Sequence, residues 1–183
     1  MARIHIDTQV YTSAPVDTGR LPVEMETYAL LDRLGIVYER LDHGAAATVD
    51  DCADVEHRLG IEICKNLFLC NAAGTAYYLL MMPGEKKYRA PLLSKQLQTT
   101  RLSFADAASM EKYLRITPGS VSVLGLMNDT EHAVRLLIDK DVLRQSHIGC
   151  HPCVNTSSLK MRMDDILNRF LPHTGHDPVI VEL

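Results

Sequence analysis

The run Cys64-Lys65-Asn66-Leu67-Phe68-Leu69-Cys70-Asn71 (CKNLFLCN) is followed, after the four residues AAGT, by Ala76 to Pro83 (AYYLLMMP). Two apolar runs of strand length around a glycine-containing connection predict a β-hairpin near the middle of the chain. The first strand opens with a lysine and an asparagine. Burying an unpaired ammonium costs on the order of several kcal/mol, so such a residue belongs at a cavity mouth or a strand end. Side chains alternate along a strand, which puts Lys65, Leu67 and Leu69 on one face and Asn66, Phe68 and Cys70 on the other. Periodicity alone favours a lysine snorkelling outward. The functional alternative is an ammonium at the lip of a pocket.

Around this hairpin the order of elements is mixed. Leu21, Met25, Tyr28, Leu31 and Leu34 fall close to one helical face, with Gly35 as the stop. IVYERLDH (36–43) reads as a strand ending at His43. TVDDCADVEHRLG (48–60) reads as a helix capped by Thr48 or Asp50 and ended by Gly60. Residues 90–116 carry helical segments, and TPGSVSVLGLMND (117–129) reads as a Gly/Ser-rich loop able to approach a ligand closely. HAVRLLIDKDVL (132–143) is a strand running into a turn, and SHIGCHPCVNT (146–156) a strand and bend. Met163, Ile166, Leu167, Phe170 and Leu171 recur at helical spacing, with Thr156, Ser157 and Ser158 as candidate caps. PVIVEL (178–183) closes as a strand. There is no strict βαβ rhythm, so the expected class is α/β with a mixed sheet and packed helices. Residues 1–20 read as an N-terminal arm and 21–183 as a single domain.

Composition narrows the function. The 183 residues are 46% hydrophobic and 23% charged, which is ordinary for a globular protein. A net charge of −4 argues against a wholesale electrostatic nucleic-acid binder but permits a local basic patch. No run approaches the ~20 apolar residues of a membrane span, and the N-terminus lacks a signal-peptide core, so a cytoplasmic location is expected. The five scattered cysteines then read as free thiols.

Several features bear chemistry. Cys150-His151-Pro152-Cys153, with His147, makes H-x2-C-x2-C, which is half a zinc site or a redox dithiol. No second pair completes it, and the simpler reading is two incidental cysteines flanking a meaningful His-Pro. The loop from Gly119 through Ser120, Val121, Ser122 and Val123 has no phosphate-loop pattern, yet its backbone amides suit a carbonyl or phosphate oxygen. His43, His132, His147 and His151 form no triad by spacing. Lys86, Lys87, Arg89, Lys95 and Arg101 cluster in sequence. Singly each reads as a solvated charge, but together they make a candidate phosphate-backbone footprint.

Taken in order, YERLDHGAAATVDD, KNLFLCN, RLSFAD, PGSVSVLGLMND, LLIDKDV, HPCVNTSSL and the terminal DDILNRFL…PVIVEL resemble the YbaK-type aminoacyl-tRNA editing family across roughly residues 22–183. The branch they resemble is the free-standing prolyl-tRNA editing one, the PrdX-like Ala-tRNA(Pro) deacylases. KNLFL followed later by HPxxNT is the sharpest pair. The resemblance implies a mixed, partly barrel-like sheet with flanking helices. It implies hydrolysis of a mischarged aminoacyl ester at the 3′ end of tRNA, with a ribose hydroxyl of the substrate assisting. Mischarged tRNA, tRNA(Pro) foremost, is the implied partner, and prolyl-tRNA synthetase a transient one. No cofactor, metal, membrane or DNA is implied. Lys65, Asn66 and His151 match the family's functional lysine, the asparagine beside it and the histidine of the His-Pro segment. Gly119 to Val123 match the loop usually written GxxxP, with valine here in place of proline. His43 is assigned with that loop to substrate binding, and the basic cluster to tRNA.

The chemistry of such a task needs no strong nucleophile, because the substrate is an activated ester. It needs a placed water, a polarised carbonyl and a pocket that sorts by size. A few methylenes are worth only ~1–3 kcal/mol, so a synthetase cannot reject a smaller amino acid by binding alone, and a second site that excludes the larger one resolves this. The competing expectations are deacylation of Cys-, Ser- or Thr-tRNA, a non-catalytic tRNA- or synthetase-binding module, and a thiol or zinc protein built on Cys150 and Cys153.

Overall fold

The computed structural model describes the backbone of residues 4–16, 18–46 and 49–183, and side chains throughout these except at 49–52. The capping expected of Thr48 or Asp50 lies outside the described residues.

The hairpin predicted from CKNLFLCN is the core of a five-stranded sheet. Strands β2 (Lys65–Cys70) and β3 (Tyr77–Met82) pair antiparallel, with Lys65 opposite Met82 and Cys70 opposite Tyr77. The turn is fixed by Asn71, whose side-chain oxygen accepts from the backbone N–H groups of Thr75 and Ala76. The sheet order is β4-β2-β3-β5-β8, with β4 at Ser103–Phe104, β5 at Val134–Asp139 and β8 at Val179–Val181. β5 runs parallel to β3, and β8 parallel to β5, so the sheet is mixed as expected.

The period-2 alternation of β2 and β3 explains how both faces are covered. Phe68, Leu79 and Met81 join Leu136 and Ile138 in the main core, against α1 (Pro22–Arg33) and the C-terminal helix. Leu69, Leu80 and Met82 join Leu93 and Leu102 in a smaller core under α3 (Ala90–Gln96).

A second sheet, of order β1-β7-β6, is antiparallel throughout: β1 is Tyr38–Asp42, β6 His147–Cys150 and β7 Ser157–Arg162. The sheets meet at one corner, where Ile63 bridges Gly149 in parallel and Cys64 N–H donates to the Gly149 carbonyl at 3.2 Å. A side chain at Gly149 would collide with Ile61 and Ile63, one methyl lying 2.5 Å from the built Cβ. Only glycine lets the sheets close here. α2 (Val49–Leu59) and Gly60, at φ +61°, lead into this corner. α4 (Ala107–Leu114) is capped by Asp106, which accepts from Ser109 N–H at 2.7 Å.

Two expectations need correction. Thr156, Ser157 and Ser158 do not cap the last helix: Thr156 lies in the turn before β7, and the two serines open that strand fully buried, with Ser157 on the face of Leu159 and Met161 and Ser158 on the opposite one. The helix starts at Met163 and runs as an α turn (Met163–Asp165), a π segment (Ile166–Phe170) and a second α turn (Leu171–Thr174). Pro172 lacks the N–H that would continue the regular ladder, which accounts for the irregularity. The stretch read as a loop at 117–129 is also more ordered than expected: Val123–Asn128 forms a 3₁₀ helix capped by Ser122.

The arm is not loose where it is described. Ile6 bridges His43, Tyr11 bridges Arg40, and Arg20 pairs with Asp42 and Glu24 at 2.7 Å each. No described helix is long and apolar enough to cross a membrane.

Candidate active site

At the corner where the sheets meet lies a cavity of about 440 Å³. Its walls come from segments distant in sequence: Lys65 and Asn66 at the start of β2, Gly119 and Val121 after α4, and Cys150 and His151 at the end of β6. Ala53 and Glu56 of α2, the stretch Glu62 to Cys64, and Gly84 and Glu85 after β3 complete it.

Lys65 is half-buried, and its Nζ donates to the Lys86 carbonyl at 3.1 Å. That single bond orients the ammonium and leaves two N–H donors for a ligand. Asn66 Nδ2 donates to the Cys64 carbonyl at 3.1 Å, while its Oδ1 is buried without a described partner. An orphaned buried acceptor in a cavity wall is costly unless a ligand or water donates to it.

His151 is held by its Nδ1, 2.9 Å from the Ser157 carbonyl. A carbonyl only accepts, so Nδ1 carries the proton and Nε2 keeps its lone pair. Burial holds the imidazole's pKa below its ordinary value, against the opposing pull of the Ser157 carbonyl, so the ring is neutral near pH 7. Behind it, Ser158 Oγ lies 3.4 Å from His151 Nδ1 and 2.9 Å from His43 Nε2, and His43 Nδ1 donates to the Gly44 carbonyl at 2.7 Å. Ser157 Oγ in turn donates to Asp42 at 2.9 Å, the carboxylate that Arg20 binds. A polar chain, partly exposed at Arg20 and Asp42 and buried from Ser157 inward, thus connects the N-terminal arm to His151.

The loop meets the cavity at Gly119 and Val121. Gly119 has φ +89°, and a Cβ there would touch Asn155 at 3.4 Å. Val121 faces the cavity, whereas Ser120, Ser122 and Val123 are buried behind its wall. Val123 is wholly in the core, and Ser122 before it has extended backbone at φ −148°, ψ 146°. His43 also stands behind the wall, so it touches His151's supporting serine rather than the cavity.

The basic cluster divides. Lys86, expected to meet tRNA, binds Asp139 at 2.8 Å and Asp141 at 2.7 Å; Asp139 is fully buried, so this lysine compensates a carboxylate inside the fold. Lys87, Arg89, Lys95 and Arg101 are exposed and form no ion pair with a described residue.

The thiols are not arranged for redox work. Cys150 and Cys153 are free and buried; burial raises both thiols, that of Cys153 to about 12, so neither is a ready thiolate. Among the described residues, no three His, Cys, Asp or Glu side chains are placed to hold a metal.

Sequence reasoning missed the carboxylates Glu56, Glu62 and Glu85 around the cavity, which no motif marks. It also missed Ser157 and Ser158 as supports, although the alternation in SSLKMR was a usable strand signal.

The comparisons agree with this geometry. The aminoacyl-tRNA editing domain model matches residues 43–168, which include every one of the cavity residues named above. The chain is 30% identical over 155 residues to the prolyl-tRNA editing protein ProX of Acetoanaerobium sticklandii, covering 85% of this chain and 94% of that protein. It is 32% identical over 171 residues to prolyl-tRNA synthetase associated domain-containing protein 1 of Danio rerio, covering 92% and 89%. A solved structure described as a candidate trans-editing enzyme for prolyl-tRNA synthetase superposes with a TM-score of 0.66 at 14% identity, covering 90% of this chain and 99% of that one, and shares the fold. With the Lys-Asn strand start, the Gly119 loop and the His-Pro segment gathered around one cavity, the chain belongs to the aminoacyl-tRNA editing domain family.

Proposed function

We propose that this protein is a trans-editing deacylase that hydrolyses the ester of mischarged tRNA(Pro), with alanine as the amino acid released. The observation that carries this reading is the convergence of Lys65, Asn66, His151 and Gly119 on one cavity in a chain of the editing family. About 440 Å³ suits a terminal nucleoside with a small acyl group. Ala53, Ile63 and Val121 offer an apolar wall for alanine's methyl, and the proposed specificity requires that wall to exclude the larger proline ring.

In this mechanism the Lys65 ammonium holds the terminal adenosine and its phosphate, and the backbone at Gly119 polarises the ester carbonyl. Asn66 Oδ1 accepts from the substrate amine. His151 Nε2 accepts from the attacking water or the assisting ribose hydroxyl, neutral as its environment keeps it. Residues 21–183 form the editing domain, and the arm braces it through Arg20 and Asp42. Prolyl-tRNA synthetase is the expected transient partner, through the tRNA they share.

The test is a panel of Ala-, Cys-, Ser-, Thr- and Pro-charged tRNA(Pro) under single-turnover conditions. Alanine release at least about tenfold faster than the rest, with Pro-tRNA spared, is the expected result. Preferred release of Cys, Ser or Thr would reassign the substrate. RNA binding without hydrolysis of any species would sink the enzyme reading in favour of a binding module.

A further inference from the structure

From residue 86 to residue 105 the chain has five cations (Lys86, Lys87, Arg89, Lys95 and Arg101) and no Asp or Glu, in a protein of net charge −4. Lys86 is neutralised internally; the other four project around α3 and the short edge strand β4. On that edge Phe104 is 63% exposed, the most exposed aromatic side chain in the apolar surface, with the Tyr88 ring against it at 5.9 Å. One exposed phenylalanine is unremarkable alone. Its placement is not. Phe104 pairs with Leu69 on β2, and Leu69 and Lys65 share a sheet face. Phe104 therefore stands on the same face as the cavity lysine, four residues along the strand, or about 13 Å at ~3.3 Å per residue. The intervening rim is the segment whose Gly84 and Glu85 line the cavity.

We infer that Phe104 is a stacking platform for an unpaired base of the tRNA 3′ end, with Lys87, Arg89, Lys95 and Arg101 following the phosphates from the cavity toward the acceptor stem. Stacking on an aromatic face is tolerant of base identity, while neighbouring cations hold the backbone, and both features coincide here. This rests on the proposed function for the identity of the RNA, but binding can be measured without catalysis.

The experiment compares wild type, Phe104→Ala and Phe104→Trp by fluorescence anisotropy. The probes are an RNA hairpin of the tRNA(Pro) acceptor stem with its single-stranded 3′ end, and the same hairpin trimmed blunt. Expected are about tenfold weaker binding of the overhang hairpin by Phe104→Ala, retention by Phe104→Trp, and equal weak binding of the blunt hairpin by all three. Removing any one of the four cations lowers the salt slope for the overhang hairpin by about 0.7. In parallel, Phe104→Ala slows deacylation of Ala-tRNA(Pro) through KM and leaves hydrolysis of 3′-alanyl-adenosine within about twofold. Equal binding of the overhang hairpin by wild type and Phe104→Ala would overturn the inference, as would a defect that appears only with the synthetase present. Overhang-dependent binding in a protein that hydrolyses no ester would uphold it while the deacylase reading fails.

Discussion

The Nδ1 of His151 lies 2.9 Å from the carbonyl oxygen of Ser157, and that hydrogen bond decides what the histidine offers the cavity. The donor is committed to the backbone, so the other ring nitrogen is left as an acceptor. Ser157 and Ser158 sit on β7, antiparallel to β6, so the sheet itself fixes the ring.

His151→Ala is expected to slow deacylation about 100-fold, the low end for loss of a proton-accepting group. Because burial lowers the His151 pKa below its ordinary 6.5, activity holds from pH 8 to about 6.5 and falls only at more acid pH. Stability has the same sign. Above 6.5 both folded and unfolded forms are neutral; below it the unfolded chain takes up the proton first, so folding free energy is lost until the folded pKa is passed. A pH–rate profile with parallel urea melts checks this, and a rate rising toward pH 5 would contradict it.

Lys65→Ala should lower kcat/KM by at least about tenfold, the cost of one charge-assisted contact to a phosphate. The lysine is half-buried with one internal hydrogen bond, so the melting temperature should barely change. A rate within twofold of wild type removes the lysine from the mechanism.

Lys86→Ala should act on stability instead. It strands Asp139, which is fully buried, although that carboxylate also accepts from Asp141 N–H and Leu183 N–H. A loss of about 2 kcal/mol in urea unfolding is expected, with RNA affinity unchanged at low denaturant. Weakened RNA binding by a fully folded variant would return Lys86 to the RNA footprint.

Val123→Pro should be tolerated, with activity within about twofold of wild type. Val123 is the first residue of the 3₁₀ helix, where a missing N–H is least missed, and Ser122 before it has the extended geometry that proline demands of its neighbour. The departure from GxxxP therefore changes a core position behind the wall, not the cavity surface. A large loss of activity would show that the loop needs valine's bulk.

Much of the fold was legible because local periodicity is a local property. The alternation in KNLFLC and YYLLMM gave the hairpin, and Gly35 and Gly60 marked helix ends, at φ +64° and +61°. The serines at 157 and 158 look like a helix cap in the sequence because a hydroxyl pair precedes a helical pattern, and only the pairing of Ser157 with Asp42 makes them a strand. The stretch 117–129 reads as a plain loop because its glycines and serines mask the 3₁₀ helix formed around Val123, Leu124 and Leu126, which the core buries.

By itself the sequence determined the residue types and their order: a lysine and asparagine leading a buried strand, a glycine loop, a His-Pro segment and an acid-free basic stretch. Charge pairing and cavity walls are non-local, so tertiary structure alone decided which of these meet. It brought Lys65, Asn66, Gly119 and His151 to one cavity, turned Lys86 inward to Asp139, and set His43 behind His151. Lys65, Gly119 and His151 lie far apart along the chain, and they share one cavity because the two sheets close on a glycine, at Gly149 against Ile63.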